Sequence, residues 1–286
     1  MRRCAYLSMD DLSDFEAYDH LTFEPMAAHG WQVSEVSWCN KDIDWNEFEV
    51  VVIRTPWDYQ DAAEEFIETL KRIDQSNALL LNSLDTVLWN INKSYLRDFE
   101  LQGIPIVPTR WMDTYSDAAM HGAYETWGTP EIIIKPQVSA NADDTFRLNP
   151  LELSKKSELL TRIFDQRAHM LQPFVSAVVE EGEFSIFYFS AEYSHAILKT
   201  PKKSDFRVQE EHGGRLQLID PEPRLRQAGD AVIAALPEPL LYARVDLLRH
   251  GEKFLLVELE AIEPSLYFNM DKKAAARFAD AFAKLF

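Results

Sequence analysis

The stretch Leu241 to Tyr267, LYARVDLLRHGEKFLLVELEAIEPSLY, carries Arg244, Asp246, Glu258 and Glu260 among apolar residues. Large and β-branched residues alternate on either side of the polar break Arg249-His250-Gly251-Glu252-Lys253, the pattern of two strands joined by a turn. Counting by twos puts Leu241, Ala243, Val245 and Leu247 on one face with Leu255, Val257, Leu259 and Ala261, and that face is core. A five-residue loop then sets Arg244 opposite Glu258, with Asp246 one diagonal step away and Glu260 following on the same face. Three carboxylates beside one arginine repel one another unless a divalent cation sits among them. An oxygen-only set suits Mg²⁺ or Mn²⁺ rather than zinc. The same pattern also describes the solvated outer face of an amphipathic hairpin, so the rest of the chain has to decide between the two.

The 286 residues, 47% hydrophobic and 12% aromatic, are enough for two domains or one multi-lobed enzyme with a sizeable core. A net charge of −18 repels a phosphate backbone and excludes nucleic acid as the main partner, while leaving room for a local basic cleft around a small anion. Cys4 and Cys39 are too few for a disulfide framework or a zinc cluster and read as buried thiols of a cytoplasmic protein. The start, Met1-Arg2-Arg3 leading into Cys4-Ala5-Tyr6-Leu7, lacks the apolar length of a signal peptide. Nowhere is there the run of about 18 apolar residues that a membrane span needs.

Residues 1–88 alternate strand and helix patterns, which implies a mostly parallel sheet. The strands are Cys4 to Ser8, Gln32 to Trp38, Glu49 to Ile53 and Ala78 to Leu81; the helices run from Ala17 to His29 and from Ala62 to Ile73. In such sheets ligands sit at the carboxyl ends of strands, so Arg54-Thr55-Pro56-Trp57-Asp58-Tyr59 reads either as a binding loop or as a turn with Asp58 capping a helix. Ser83 or Asp85 caps a helix through Trp89, and Asn92-Lys93 opens another that ends at Gly103. The prolines of Ile104 to Thr109 force an extended linker. Lys135 ends the apolar strand Glu131 to Pro136, a costly place for a charge unless it meets an anion or snorkels to the surface. The small polar loop Gln137 to Phe146 that follows suits a bound phosphate. Gln172-Pro173-Phe174-Val175 reads as an edge strand because of its proline. Beyond the turn Glu180 to Glu183 comes a hairpin around Ser190-Ala191-Glu192. Next is a basic loop, Lys199 to Gln209, whose cations either gather on an anion or are simply solvated. Pro221 to Leu236, with Leu225, Ala228, Ala231, Val232 and Leu236 inward, and Lys272 to Phe286 are scaffolding helices.

A lysine opening a helix, a lysine ending a strand before a small loop, a Gln-Pro-Phe-Val strand, a basic loop and an Asp…Glu-x-Glu hairpin follow one another over residues 83–270. In this order they resemble the ATP-grasp carboxylate-amine ligases, the superfamily of glutathione synthetase, D-alanine-D-alanine ligase and, nearest, the ligases that close cycloserine. The resemblance implies an α/β and α+β fold in which an N-terminal Rossmann-like lobe, residues 1–88, precedes two ATP-clamping lobes, 89–173 and 174–286. It makes Lys93, Lys135 and Ser139 phosphate contacts and Gln172 the start of the adenine segment. Glu183 becomes the ribose ligand with Glu180 its rival, and Arg207 and Gln209 become contacts to phosphate and acyl phosphate. Asp246, Glu258 and Glu260 match the Mg²⁺ ligands, and Arg244 the arginine facing the substrate; Arg54, Asp58 and Ser265 fall where substrate is selected. The loop after Lys135 has no glycine, where the superfamily usually carries several. The implied activity joins the carboxylate of an amino acid or small peptide to an amine through an acyl phosphate. A phosphotransferase on the same site and a nucleotide-binding regulator without turnover are the competing readings, and a homodimer stays open.

Overall fold

The computed structural model describes residues 1–139, 142–203 and 205–286, so Ala140 and Asn141 of the small polar loop and Ser204 of the basic loop lie outside the described residues. The first lobe contains β1 (Arg2–Ser8), α1 (Phe23–Ala28), β2 (Trp31–Ser37), β3 (Val50–Thr55), α2 (Ala63–Asp74) and β4 (Leu79–Leu81). Its sheet has the order β2-β1-β3-β4 with every neighbour parallel, as the alternation of elements requires. The helix expected over Ala17 to His29 is shortened to α1, preceded by a 3₁₀ turn at Asp19–Thr22. Pro25 is the cause: it is tolerated in a first turn, but its ring would clash with the carbonyl four residues earlier if the helix began sooner.

Two short helices, α3 (Leu84–Asn90) and α4 (Tyr95–Leu101), lead out of this lobe, and Ser83, not Asp85, caps α3 through the amide of Thr86. The middle of the chain supplies β5 (Arg110–Met112), α5 (Asp117–Trp127), β6 (Ile132–Pro136), β7 (Phe146–Leu148), α6 (Pro150–Phe164) and β8 (His169–Pro173). Its antiparallel sheet runs β5-β8-β6-β7, so the strand ending in Pro173 is central, not an edge. Pro173 sits at the strand's last position and so removes no bond from its interior. After α7 (Ala177–Glu180) come β9 (Glu183–Phe189), β10 (Glu192–Thr200), β11 (Arg215–Ile219), α8 (Pro223–Ala234), β12 (Tyr242–His250), β13 (Lys253–Glu260) and α9 (Ala274–Ala283). These strands form an antiparallel sheet in the order β11-β10-β9-β12-β13. Ser190 and Ala191, both at positive φ, make the tight β9–β10 turn. Along α8, Leu225 and Val232 are buried as expected, but Ala231 is exposed.

The β12–β13 hairpin departs from the expected register. The turn is two residues, Gly251-Glu252, with the positive φ on Gly251, and a bulge at Val257 shifts the pairing again. Arg244 therefore faces Glu260, and Asp246 faces Glu258. Phe254 and Leu256 join Ala243, Val245, Leu247, Leu259 and Ala261 in one core cluster, while Leu255 is buried outside it and Val257 is only partly buried. Val257 turns to the other face, where it packs with Leu248.

β13 is an edge strand whose outer backbone is satisfied by the chain that links the lobes. Leu256 exchanges bonds with Pro105 and Val107, donating to the Pro105 carbonyl at 2.8 Å. Tyr95 Oη donates to Leu259 O at 3.0 Å and accepts from Leu259 N at 2.9 Å. Asn90 bridges Leu259 O and Ala261 N at 2.9 and 3.0 Å, and Asn82 reaches the carbonyls of Tyr242 and Ala261 at 3.0 and 2.8 Å. The prolines of Ile104 to Thr109 thus leave an extended segment lying along the edge strand. Because these groups are buried, removing a partner strands a backbone donor or acceptor. Asn90→Ala is expected to lower stability by about 2 kcal/mol and Tyr95→Phe by about 1–2 kcal/mol in chemical denaturation; equal midpoints for both variants and the parent would contradict this.

Candidate active site

The inner face of the β9–β10–β12–β13 sheet, the end of β6 and the loops after β1 and β3 enclose one large cleft. In parallel sheets the carboxyl ends of strands collect ligand-facing loops, and here those loops contribute Phe15, Trp57 and Tyr59. On the opposite side, Phe174, Val175, Val178, Phe206, Val208, Leu248 and Val257 form an apolar slot. Phe174 and Phe206 meet edge to face with centroids 6.3 Å apart.

Four buried cations line the centre. Lys93 Nζ lies 3.0 Å from a Glu258 oxygen and donates to Ser139 O at 2.6 Å, while its amide is held by Gln137 O. Lys135 ends β6 beside it, its pKa lowered first by burial and then opposed by the Glu258 charge. Lys199 Nζ pairs with Glu183 at 2.6 Å and with Asp246 at 3.4 Å, and the two carboxylates hold its pKa up against burial. Arg244 clasps Asp246, with Nη2 to Oδ2 at 2.9 Å, and also Glu260 and the carbonyl of Ser265. Asp246, further bound by Ser185 Oγ at 2.5 Å, has its pKa brought down to about 2, because Arg244 and Lys199 outweigh its burial. Glu260 goes the other way. Although 29% of its side chain is exposed, burial and the neighbouring carboxylates push it up to about 8 despite Arg244. Four cations thus meet four carboxylates, Glu183, Asp246, Glu258 and Glu260, across the cleft.

The sequence of residues 4–82 matches the family model described as D-cycloserine synthetase DcsG, N-terminal domain. The cycloserine biosynthesis protein DcsG of Streptomyces lavendulae is 30% identical over 259 residues, 86% of each chain. The chain belongs to the DcsG family of ATP-grasp ligases. The crystal structure of D-cycloserine synthetase DcsG superposes with a TM-score of 0.87 at 26% identity over 99% of both chains. The D-alanine–D-alanine ligase of Bacillus anthracis shares the fold, with a TM-score of 0.69 at 12% identity over 99% of this chain and 97% of that one. The protein is thus an ATP-dependent carboxylate-amine ligase with the mixed α/β ATP-grasp fold.

Most of the residues singled out by their sequence pattern meet on the walls of this DcsG-family cleft: Lys93, Lys135, Ser139, Gln172, Glu183, Arg207, Gln209, Arg244, Glu258, Glu260 and Ser265. Gln172 is anchored to Thr109 at 2.9 Å, and Arg207 is paired with Asp205 at 2.9 Å. Gln209 presents a buried Oε1 that no donor among the described residues reaches. Four residues are placed elsewhere. Asp246 sits behind the wall in the Arg244–Lys199–Ser185 network, and Glu180 is exposed at the end of α7. Arg54, expected at the substrate, is fully buried: it pairs with Asp19, donates to Pro264 O at 3.0 Å and lies over the Tyr242 ring. Asp58 neither reaches the cleft nor caps the turn that follows; it accepts the indole N–H of Trp38 at 2.6 Å. Cys39 is exposed where a buried thiol was expected. Among the described residues, no helix is long and apolar enough to cross a membrane.

Trp57 and Tyr59 of the possible binding loop and Lys199 of the basic loop line the cleft, as do Tyr267 and Glu263, which the sequence pattern does not single out. Lys199 carries the same signature as Lys135, a lysine closing an apolar strand. The segment bearing Ser265 and Tyr267 is positioned from beneath by a buried relay. Arg277 Nε donates to Ser194 Oγ at 2.9 Å, Ser194 Oγ meets His195 Nδ1 at 2.9 Å, and His195 Nε2 meets Leu266 O at 3.2 Å. The ring stacks on Phe187 at 4.2 Å, and burial, with the Arg277 charge, lowers its pKa to about 4.

A histidine that protonates more readily unfolded than folded contributes stability above its unfolded pKa of about 6.5, lost as pH falls toward the folded value. Between pH 7 and 5 the wild type is therefore expected to lose roughly 2 kcal/mol more than His195→Gln in urea titrations; parallel losses would contradict it. Gly182, at φ +125°, leaves no room for a Cβ, which would lie 2.6 Å from Lys199 O. Gly182→Ala is expected to displace Glu183 from Lys199 and weaken nucleotide affinity about tenfold, a free-energy loss of ~1.4 kcal/mol; unchanged affinity by calorimetry would contradict it.

Proposed function

We propose that the cleft binds ATP across its apolar slot and cationic centre and transfers the γ-phosphoryl group to the carboxylate of an amino acid or small peptide. An amine then attacks the acyl phosphate to give an amide, ADP and phosphate. The observation that carries this reading is the convergence of Lys93, Lys135, Lys199 and Arg244 on the carboxylates Glu183, Asp246, Glu258 and Glu260, beside a slot shaped by apolar side chains. Phosphoryl transfer asks for positioning and charge neutralisation rather than a protein nucleophile, which is what this residue set supplies.

The slot of Val178, Val208, Leu248 and Val257 accommodates the flat faces of a purine, and the backbone that follows Gln172 offers its edge hydrogen bonds. Glu183, which lines the cleft beside Lys199, suits the ribose hydroxyls; Gln209 and Arg207 line it from the basic loop. Lys93 and Lys135 neutralise phosphate oxygens. Arg244 holds the substrate carboxylate and the charge that develops on it.

Among the described residues, no three carboxylate, imidazole or thiol side chains form a ready-made metal cage. Magnesium in nucleotide sites takes one or two carboxylates and completes its shell with phosphate oxygens and water. Glu258 and Glu260 fit that demand, since both face the cleft and Glu260 keeps part of its side chain exposed there. Asp246 fits it less well, since Ser185, Lys199 and Arg244 already occupy its oxygens. Magnesium held by Glu258 and Glu260 would supply charge neutralisation of the transferring phosphoryl group.

The test uses Mg²⁺-ATP with pools of D- and L-amino acids, dipeptides and an O-ureido amino acid, with hydroxylamine trapping the acyl phosphate. Hydroxamate is expected only with a carboxylic acid present, and Lys135→Ala and Glu258→Ala are each expected to lower its rate by about 100-fold or more. Acid-independent ADP release, insensitive to both substitutions, would overturn the reading. With one amino acid as the sole substrate and no hydroxylamine, a cyclic product would assign cyclisation and a linear dipeptide the joining of two molecules.

A further inference from the structure

The end of the cleft remote from the apolar slot has a chemistry of its own. Glu263, just past β13, faces Trp57 and Tyr59 from the loop after β3 and Phe15 from the loop after β1. The first lobe meets this residue twice over: Trp57 Nε1 donates to the Glu263 carbonyl at 2.9 Å, and the Tyr59 hydroxyl lies near its carboxylate. Phe15 packs against Trp57 with ring centroids 5.5 Å apart. The cations nearby are committed elsewhere: Lys93 to Glu258, Arg244 to Asp246 and Glu260, and Arg54 to Asp19. Among the described residues, no lysine or arginine forms an ion pair with Glu263. Burial accordingly pushes its carboxyl up to about 7, with the Tyr59 hydroxyl and the Lys93 charge pulling it back only in part.

A carboxylate walled by aromatic rings and left without a protein cation suits an ammonium ion, which restores its charge and lies against the ring faces. The cleft is polarised in the same sense, with lysines and arginine at the centre and this carboxylate beyond them. We propose that Glu263, together with the Tyr59 hydroxyl and the rings of Trp57 and Phe15, binds an ammonium group of the substrate and so determines which end of it reaches the phosphates. The proposal rests on the ligase reading above. It adds that the site reads the free amine of that acid, and that Glu263 is the specificity-determining residue that does so.

Two readouts separate the proposal from the reading beneath it. In the hydroxamate assay, acids that support turnover are compared with counterparts in which hydroxyl replaces the amine. The amine-bearing acid is expected to be preferred by 30-fold or more in kcat/KM, and Glu263→Gln to reduce that preference below threefold, chiefly through KM, while Mg²⁺-ADP affinity stays the same. Tyr59→Phe is expected to reduce it in the same direction by a smaller factor. Calorimetry with D-serine and D-glycerate, and with their L-isomers, on the Mg²⁺-ADP-loaded protein reads the same preference without turnover. No hydroxamate from any acid would sink the ligase reading, whereas a Glu263-dependent preference for serine in binding would still support the ammonium site. Equal use and equal binding of amino and hydroxy acids by the wild type, or a preference that survives Glu263→Gln, would overturn it. Equal treatment of the two acids by the wild type overturns the proposal even if Glu263→Gln fails to fold, and Tyr59→Phe then reads whether the preference depends on this corner of the cleft.

Discussion

Everything in the cleft depends on keeping buried charge paired. Lys93, Lys135, Lys199 and Arg244 are all nearly buried, and each would be costly to hold there alone. Their partners Glu183, Asp246, Glu258 and Glu260 lie on β9, β12 and β13, but the lysines come from three parts of the chain: the approach to α4, the end of β6 and the end of β10. Neutralising the charge and bringing the lobes together are therefore one interaction. A ligand that brings phosphates and a divalent cation offers substitute partners to both sides at once. Lysines can turn to phosphate and carboxylates to metal without any of them being left bare.

That exchange needs a wall that does not move while its charges change partners. β13 supplies it, because its free edge is closed by Pro105, Val107, Tyr95, Asn90 and Asn82 rather than by another strand of the sheet. Asp246 strengthens the wall from behind, locked between Ser185 and two cations. The buried relay from Arg277 through Ser194 and His195 to Leu266 does the same for the segment that carries Ser265 and Tyr267.

Much of this was legible in the sequence, for a physical reason: a charge that ends an apolar strand must meet an opposite charge. Lys135 and the Asp…Glu-x-Glu hairpin announced the site in that way, and alternation of strands and helices announced the parallel first sheet. What failed depended on partners distant in the chain or on a single inserted residue. The bulge at Val257 leaves no mark in period-two counting, so Arg244 was paired with Glu258 instead of Glu260. Arg54 follows a parallel strand, as a ligand contact would, yet its charge is consumed by Asp19, thirty-five residues earlier in the chain. Lys199 was hidden among the basic residues that follow it. Glu263 carries no signal in the sequence, because only the fold turns it toward Trp57 and Tyr59.

The most direct test of the central claim follows oxygen rather than rate. With the acid labelled in both carboxylate oxygens with ¹⁸O, turnover in unlabelled water should deliver one ¹⁸O into each phosphate released. That outcome means the carboxylate itself accepted the phosphoryl group. Phosphate that carries no label from the acid, and takes its new oxygen from solvent instead, would show that water is the acceptor and that the charged wall serves hydrolysis rather than ligation.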